Sequence, residues 1–222
     1  MSRIVEPEIL DSLPPDDPRA ARSRRDLHRV NLVMGNHGIM ARALKEHCPL
    51  PPKQIAELGA GDGNFLLRVA AKSGWQNIDA VLLDQTRAVS AGTLAAFSKF
   101  NWRAQFVTAD VFEWNGPAEV VIANLFIHHF EDAELARLLQ KIAGHAKLFI
   151  ALEPHRFYYP RPCALTTLLV GCSRVTLHDA EASIRAGFIR QEITPLWPDK
   201  PNWQLTERRA GLFSHLFVAR RI

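Results

Sequence analysis

The side chains best placed to do chemistry in this sequence are carboxylates spaced around a glycine turn. The segment QIAELGAGDGNFLLRVA, residues 54–70, carries Gly59, Gly61 and Gly63 in alternation, with the acid Glu57 two residues before the first of them. Glycine accepts positive φ and, lacking a Cβ, lets a ligand lie against the backbone, so a small molecule is expected on this turn. Asp84 follows about twenty residues later at the end of the apolar run IDAVLL, where a carboxylate can accept from ribose hydroxyls. Asp110 closes a further run; it can accept from an adenine amino group while the next amide, of Val111, donates to the ring. One such acid has an ordinary explanation as a helix N-cap. Acids at three consecutive strand ends point instead to a nucleoside-bearing ligand.

Charge and spacing narrow that ligand. The dinucleotide fingerprint GxGxxG holds a pyrophosphate on a helix N-terminus, whereas this turn reads GxGxG. Glu57 would repel a pyrophosphate but suits the ammonium and sulfonium groups of S-adenosylmethionine. Proton transfer at such a site needs a base within hydrogen-bond reach of the acceptor, and the candidates are His128 and His129, just after a strand. Glu153 and His155 are second candidates. His178, beside Asp179, is as readily a histidine at a helix start.

These residues need a frame, and the pattern supplies one. Apolar runs at residues 54–58, 78–83, 104–108, 119–124 and 147–152 read as strands, and helical spacing at 64–72, 88–97 and after Asp132 alternates with them. Strand and helix in alternation predict a parallel sheet covered on both faces, a doubly wound α/β fold. Before the turn, Leu27, Val30, Val33 and Met34 and, past Gly35-Asn36, Ile39, Met40 and Leu44 predict two helices. They would form a cap on the core or a lid over an acceptor pocket, with a proline-rich arm ahead of them. Residues 1–50 are therefore read as arm and helical cap and 51–222 as the main domain. In the tail, an apolar helix is expected over 165–171, a helix over 180–186 with Asp179 as N-cap, and strands over 188–193 and 213–219. Between those strands Pro195, Pro198 and Pro201 predict a rigid loop.

Composition excludes several classes. The 222 residues suit one main domain, and 47% apolar with 23% charged residues is ordinary for a globular protein. The net charge of +4 is spread without a basic stripe, so nucleic acid is not an expected partner. Three cysteines without CxxC spacing suggest a reducing, cytoplasmic setting and no zinc site. The N-terminal stretch lacks the apolar segment of a signal peptide, and no apolar run is long enough for a transmembrane span.

ELGAGDG, VLLD, TADVF and NLFIHHF, in that order, resemble motifs of the class I S-adenosylmethionine-dependent methyltransferases, over about residues 52–155. The resemblance implies a mostly parallel, seven-stranded Rossmann-like sheet with the last strand antiparallel. It places Glu57, Gly59, Gly61 and Gly63 at the methionine moiety, Asp84 at the ribose, and Asp110 and Val111 at the adenine, with Ala60 and Gln85 also among the cofactor-binding residues. Asn124 would meet the cofactor's amino group through its carbonyl. The arm and tail resemble small methyltransferases associated with polyketide or quinone biosynthesis. The expected reaction is methyl transfer to a small aromatic or apolar acceptor, at oxygen, with C-methylation of a quinone or polyketide ring as the alternative. A silent cofactor-binding partner protein is the non-enzyme alternative. No metal is expected, because no spare cluster of ligands is evident, and a homodimer is compatible with the chain. The apolar stretch 164–172, with Phe157, Tyr158 and Tyr159 ahead of it, is a candidate acceptor wall.

Overall fold

A computed structural model describes residues 2–14, 16–157 and 171–222. Seven strands form one sheet in the order β3-β2-β1-β4-β5-β7-β6. They are β1 (Gln54–Leu58), β2 (Ile78–Asp84), β3 (Trp102–Thr108), β4 (Val120–Asn124), β5 (Leu148–Pro154), β6 (Trp203–Ala210) and β7 (Ser214–Arg221). The first five pair in parallel, while β7 runs antiparallel to both β5 and β6. β7 alone is therefore reversed.

The period of two along each strand divides the apolar residues between two cores. Ile55, Leu82, Ile122 and Ile150 face one side, where α3 (Asn36–His47) and α4 (Asn64–Ser73) supply Met40, Leu44, Leu66 and Val69. Leu58, Leu83, Val121 and Phe149 face the other, against Leu135, Leu138 and Ile142 of α6 (Asp132–His145) and the indoles of Trp197 and Trp203. The strands read as continuous apolar runs because both faces are covered. The strand order reverses between β1 and β4, and in open sheets of this kind ligands bind at the carboxyl ends beside that reversal.

Several expectations change. The segment 188–193 is not a strand: Phe188 makes a single parallel bridge to His155, and the chain then turns. Carboxylates take the amides a neighbouring strand would have used, with Glu192 accepting from Ile189 N–H and Glu207 from the N–H groups of Ile193 and Thr194. The sixth strand is β6, within the stretch expected to be loop. Its exposed Gln204, Arg208 and Arg209 are the charged and polar side chains that blunt a sheet edge, and they masked its alternation.

The helix expected at 88–97 is shorter. Ser90 accepts from Thr93 N–H as N-cap, so α5 (Ala91–Ala96) begins there and tightens into a 3₁₀ turn, Phe97–Phe100. The last helix, α7 (Arg174–Ala186), begins a turn and a half earlier than expected because Ser173 caps it by accepting from Thr176 N–H. Asp179 is not its cap. Its two carboxylate oxygens accept from the N–H groups of Ile9 and Leu10, capping α1 (Ile9–Ser12) from across the molecule.

The two N-terminal helices are present, α2 (Pro18–Met34) and α3, separated at Gly35, whose φ of 70° closes the first. The buried face of α2 is not the expected apolar one. Val33 is 61% exposed, while Ala20, Ser23, Asp26 and Asn31 are buried. Asp26 accepts from Ser173 N–H and Thr176 Oγ1, and Asn31 Oδ1 accepts from the amide groups of Asn36 and Asn124. Polar groups thus decide how this helix docks. The expected helix at 165–171 and the candidate wall at 164–172 lie almost wholly outside the described residues.

Candidate active site

A cavity of about 410 Å³ opens at the carboxyl edge of β1, β2 and β4. Gly59 and Gly61 form its floor, Asp84, Gln85 and Val111 one side, and His128 and His129 the other. Its volume lies in the range of small-molecule sites, roughly 300–1,000 Å³. Of the candidate site residues named from sequence, these seven line it. A second cavity, between Arg22, Arg25, Asp26, Arg29 and Gly171, holds none of them.

The glycine turn is built for close approach. Gly59 and Gly61 have φ of 66° and 54°, and a Cβ on Gly59 would sit 2.2 Å from the Phe126 ring. Gly63 serves packing instead, since a Cβ there would meet Leu82 of β2 at 2.8 Å. Ala60 is tied to β2 through its N–H to Leu83 O. Neither Ala60 nor Gly63 lines the cavity. Asp84 Oδ2 accepts from Gly61 N–H at 2.9 Å and Oδ1 from Thr86 N–H at 2.9 Å, so the acid also pins the turn. Each oxygen keeps a further lone pair for a hydroxyl donor. Asp110 stands behind the wall: it accepts from Phe112 N–H and from the Gln85 side chain, which itself lines the cavity.

Glu57 and Asn124 also lie outside the lining. Glu57 is 2% exposed, one carboxylate oxygen has no hydrogen-bond partner, and its pKa is pushed well above the usual carboxylate range. Burial is the main cause, with the charges of Asp62 and Asp84 adding to it and a backbone hydrogen bond with Leu66 opposing it. Asn124 spends its side chain on Asn31 and Asn36. The cavity is met instead by Leu125, held at φ 52°.

The two histidines have different surroundings. His128 is 2% exposed, its Nδ1 lies 2.7 Å from Glu153 Oε2 and its Nε2 3.4 Å from Glu8 Oε1. Burial alone would lower its pKa, but the hydrogen bonds and charges of these two carboxylates outweigh that and raise it to about 9. Glu153, fully buried, also accepts from Phe126 and Ile127 N–H, so it fixes the loop that carries both rings. The side chain of His129 is 24% exposed, with Nδ1 3.2 Å from Asp11 Oδ2. His155 bridges to Phe188 and His178 pairs with Asp179; neither lines the cavity.

The arm was missed as part of the site. Glu8, Leu10, Asp11 and Leu13 close the histidine side of the cavity, joined by Ser183 of α7 and by Arg24 and Leu27 of α2. The arm is held by Arg3, which donates to the carbonyls of His128, Phe130 and Ala186, and by Glu6 paired with Arg185. Acids set among prolines were the available signal. The arm also corrects the expectation that no ligand cluster exists: Glu8, His128 and His129 bring donor atoms within 4.8 Å of one another. Here hydrogen bonds with Glu153 and Ser183 engage His128 and Glu8 of that group.

Residues 55–147 match the model of the methyltransferase domain family. Among solved structures, the plantazolicin methyltransferase BpumL in complex with SAH has a TM-score of 0.64 at 13% identity, covering 93% of this chain and 92% of its own. An O-methyltransferase family protein from Burkholderia thailandensis has a TM-score of 0.58 at 20% identity, covering 93% of this chain and 59% of its own. The mitomycin 7-O-methyltransferase MmcR has 0.57 at 17%, covering 95% and 60%. No curated protein sequence matches significantly. Residues 55–147 are thus similar to a methyltransferase domain, and the seven-stranded sheet that carries them is the fold these solved structures share. Among the described residues, no helix is long and apolar enough to cross a membrane.

Proposed function

We propose that this protein is an S-adenosylmethionine-dependent methyltransferase that acts on a small aromatic or apolar acceptor at oxygen, and that His129 takes the acceptor's proton. The observation that carries this is the pairing of His129 with Asp11 on the cavity wall opposite Asp84. With Nδ1 turned to Asp11, Nε2 is the ring atom left for an acceptor hydroxyl. His128 has carboxylates at both nitrogens and serves as a fixed imidazolium.

The donor supplies a methyl group on a sulfonium, an excellent leaving group, so placement carries much of the rate. When bound, the donor would supply the methyl carbon and leave as the neutral thioether, and His129 Nε2 would accept the proton of the acceptor hydroxyl. Leu10, Leu13, Leu27 and Phe130 make that end of the cavity apolar, which suits an aromatic acceptor and keeps water from competing. The tight cavity offers a nucleic acid no basic track.

For the donor, Gly59 and Gly61 would lie against the methionine moiety, Asp84 would hold the ribose hydroxyls and Val111 N–H would meet the adenine. Gln85, held by Asp110, would add a ribose or adenine contact. Ala60 and Gly63 shape the turn, and Asn124 positions Leu125 and its own carbonyl. Glu57 fits a cationic ligand through its orphaned carboxylate oxygen, whose ionisation a nearby ammonium or sulfonium would favour.

Incubation with methyl-labelled donor and a panel of phenols, followed by mass spectrometry, tests the acceptor assignment. Methyl on oxygen supports it. Methyl on a ring carbon would establish the alternative reaction, and no transfer to any phenol would remove the aromatic hydroxyl as acceptor.

A further inference from the structure

We propose that Glu8, His128 and His129 form a binding site for a divalent transition-metal ion of the zinc type, which on loading ties the N-terminal arm to the loop after β4. The inference goes beyond the methyl-transfer reading, and binding of the ion does not depend on it.

The donor atoms are already together. Glu8 of the arm and the two histidines each bring one of them within 4.8 Å of the others on the cavity wall. His128 Nε2 faces Glu8 Oε1 at 3.4 Å, long for a hydrogen bond and open to replacement by an ion. The two imidazoles lie side by side, 4.3 Å between ring centroids. Side-chain exposure is 12% for Glu8, 2% for His128 and 24% for His129, so the donors are shielded from bulk water while one side meets the cavity.

The groups behind these donors are arranged as the outer shell of a metal site. A ligating histidine ordinarily gives its other ring nitrogen to a carboxylate or carbonyl, which fixes the ring and raises its basicity. Both histidines have such a partner: His128 Nδ1 lies 2.7 Å from Glu153 Oε2, and His129 Nδ1 3.2 Å from Asp11 Oδ2. Glu8 in turn accepts from Ser183 Oγ of α7. Glu8, Asp11 and Glu153 together favour a cation among them. In the metal-free protein that cation is the imidazolium of His128; a ligating imidazole is neutral, so the ion replaces that proton, which leaves to solvent. The ion and the proposed base role draw on the same His129 ring, and the loaded form is therefore distinct from the catalytic one.

Two imidazoles and a carboxylate, with no thiol among the described lining residues, suit zinc and its neighbours better than calcium or magnesium, which take oxygen ligands. Three protein ligands leave a fourth position on the cavity side. Glu8 and His128 are 120 positions apart in the chain, so an ion shared by them joins the arm to the loop directly.

The test is calorimetry of the full chain with zinc chloride, beside visible absorption of the cobalt(II)-loaded protein and hydrogen exchange. Wild-type protein should bind one zinc ion, show the visible bands of tetrahedral cobalt without a thiolate charge-transfer band, and exchange more slowly at Ile9 and Leu10 when loaded. Glu8→Gln and His129→Ala should each weaken zinc by about a hundredfold, the upper end of the roughly 10–100-fold that outer-shell changes alone cost. Circular dichroism and unchanged exchange in β1 and β4 show that the variants fold. No saturable zinc binding by the wild type would overturn the proposal. So would unchanged affinity in both variants, or a thiolate band, which would move the ion to a cysteine. Zinc binding without slower exchange at Ile9 and Leu10 would overturn the tie between arm and loop.

Discussion

At the scale of single residues, the two adjacent histidines separate by environment rather than by type. His129→Ala should lower turnover by about 10²- to 10⁴-fold, the usual worth of general base catalysis, with the affinity for S-adenosylhomocysteine unchanged. Asp11→Asn should lower turnover less, because it removes the partner that orients the ring and leaves the base. Single-turnover rates beside calorimetric affinities check both; wild-type turnover in His129→Ala would end the base assignment. His128 makes a different prediction. Its folded-state pKa is raised to about 9 from an ordinary 6.5, so its contribution to stability is fully present below about pH 6.5 and is lost as pH rises through 9. His128→Gln should cost about 3 kcal/mol at neutral pH, since it leaves the buried Glu153 short of its counter-charge. Urea titrations at pH 7 and pH 10 should show the gap between wild type and variant shrinking at the higher pH. A gap of the same size at both would mean that the imidazolium contributes nothing.

At the scale of elements, the glycine turn and the N-terminal helices carry the testable content. Gly59→Ala puts a methyl into the Phe126 ring and demands φ of 66° from an L-residue, so it should abolish measurable donor binding while the sheet still folds. Calorimetry with circular dichroism separates loss of the site from loss of the fold. The strands β1 to β5 were legible in sequence because burial on both faces makes them unbroken apolar runs. Their terminal acids were legible because strand ends are where a charge can reach solvent or ligand. The edge strand β6 was hidden by its own charges, and 188–193 looked like a strand because Phe188 and Ile193 are core residues carried on a turn. Helix α2 was found by its period but assigned the wrong face. Its docking depends on Asp26 and Asn31, and a polar residue at helical spacing does not announce a buried partner 93 or 147 positions away.

At the scale of the molecule, the arm, α7 and the loop after β4 close on one another around the histidine side of the cavity. Asp179 receives the first amides of α1, Arg3 gathers three carbonyls, and Gly187 brings the end of α7 against β5 so closely that a Cβ would lie 2.3 Å from Pro154 O. Asp179→Ala should therefore free the arm with little effect on the sheet. Hydrogen exchange should rise at Ile9 and Leu10 while β1 and β4 stay protected, and KM for the acceptor should rise more than the donor affinity falls. Unchanged exchange at the arm would show that the remaining contacts hold it without this cap. Gly187→Ala, by contrast, should destabilise the whole protein by about 1–3 kcal/mol through overpacking, read as a shift in the urea midpoint.

By itself the sequence determined the class of sheet, the position of the glycine turn and the acids at the ends of β1, β2 and β3. All of these follow from local periodicity and from residues whose role is set within one βα unit. Tertiary structure alone decided which of those residues face the cavity and which stand behind it. Glu57, Asp110 and Asn124 are one contact removed, while Glu8, Asp11 and Arg24 arrive from a segment with no motif of its own. The physical reason is that a site's lining is a property of side chains converging from distant parts of the chain. Charge pairing, helix docking and close backbone approach bring them together, and none of these leaves a period in the sequence.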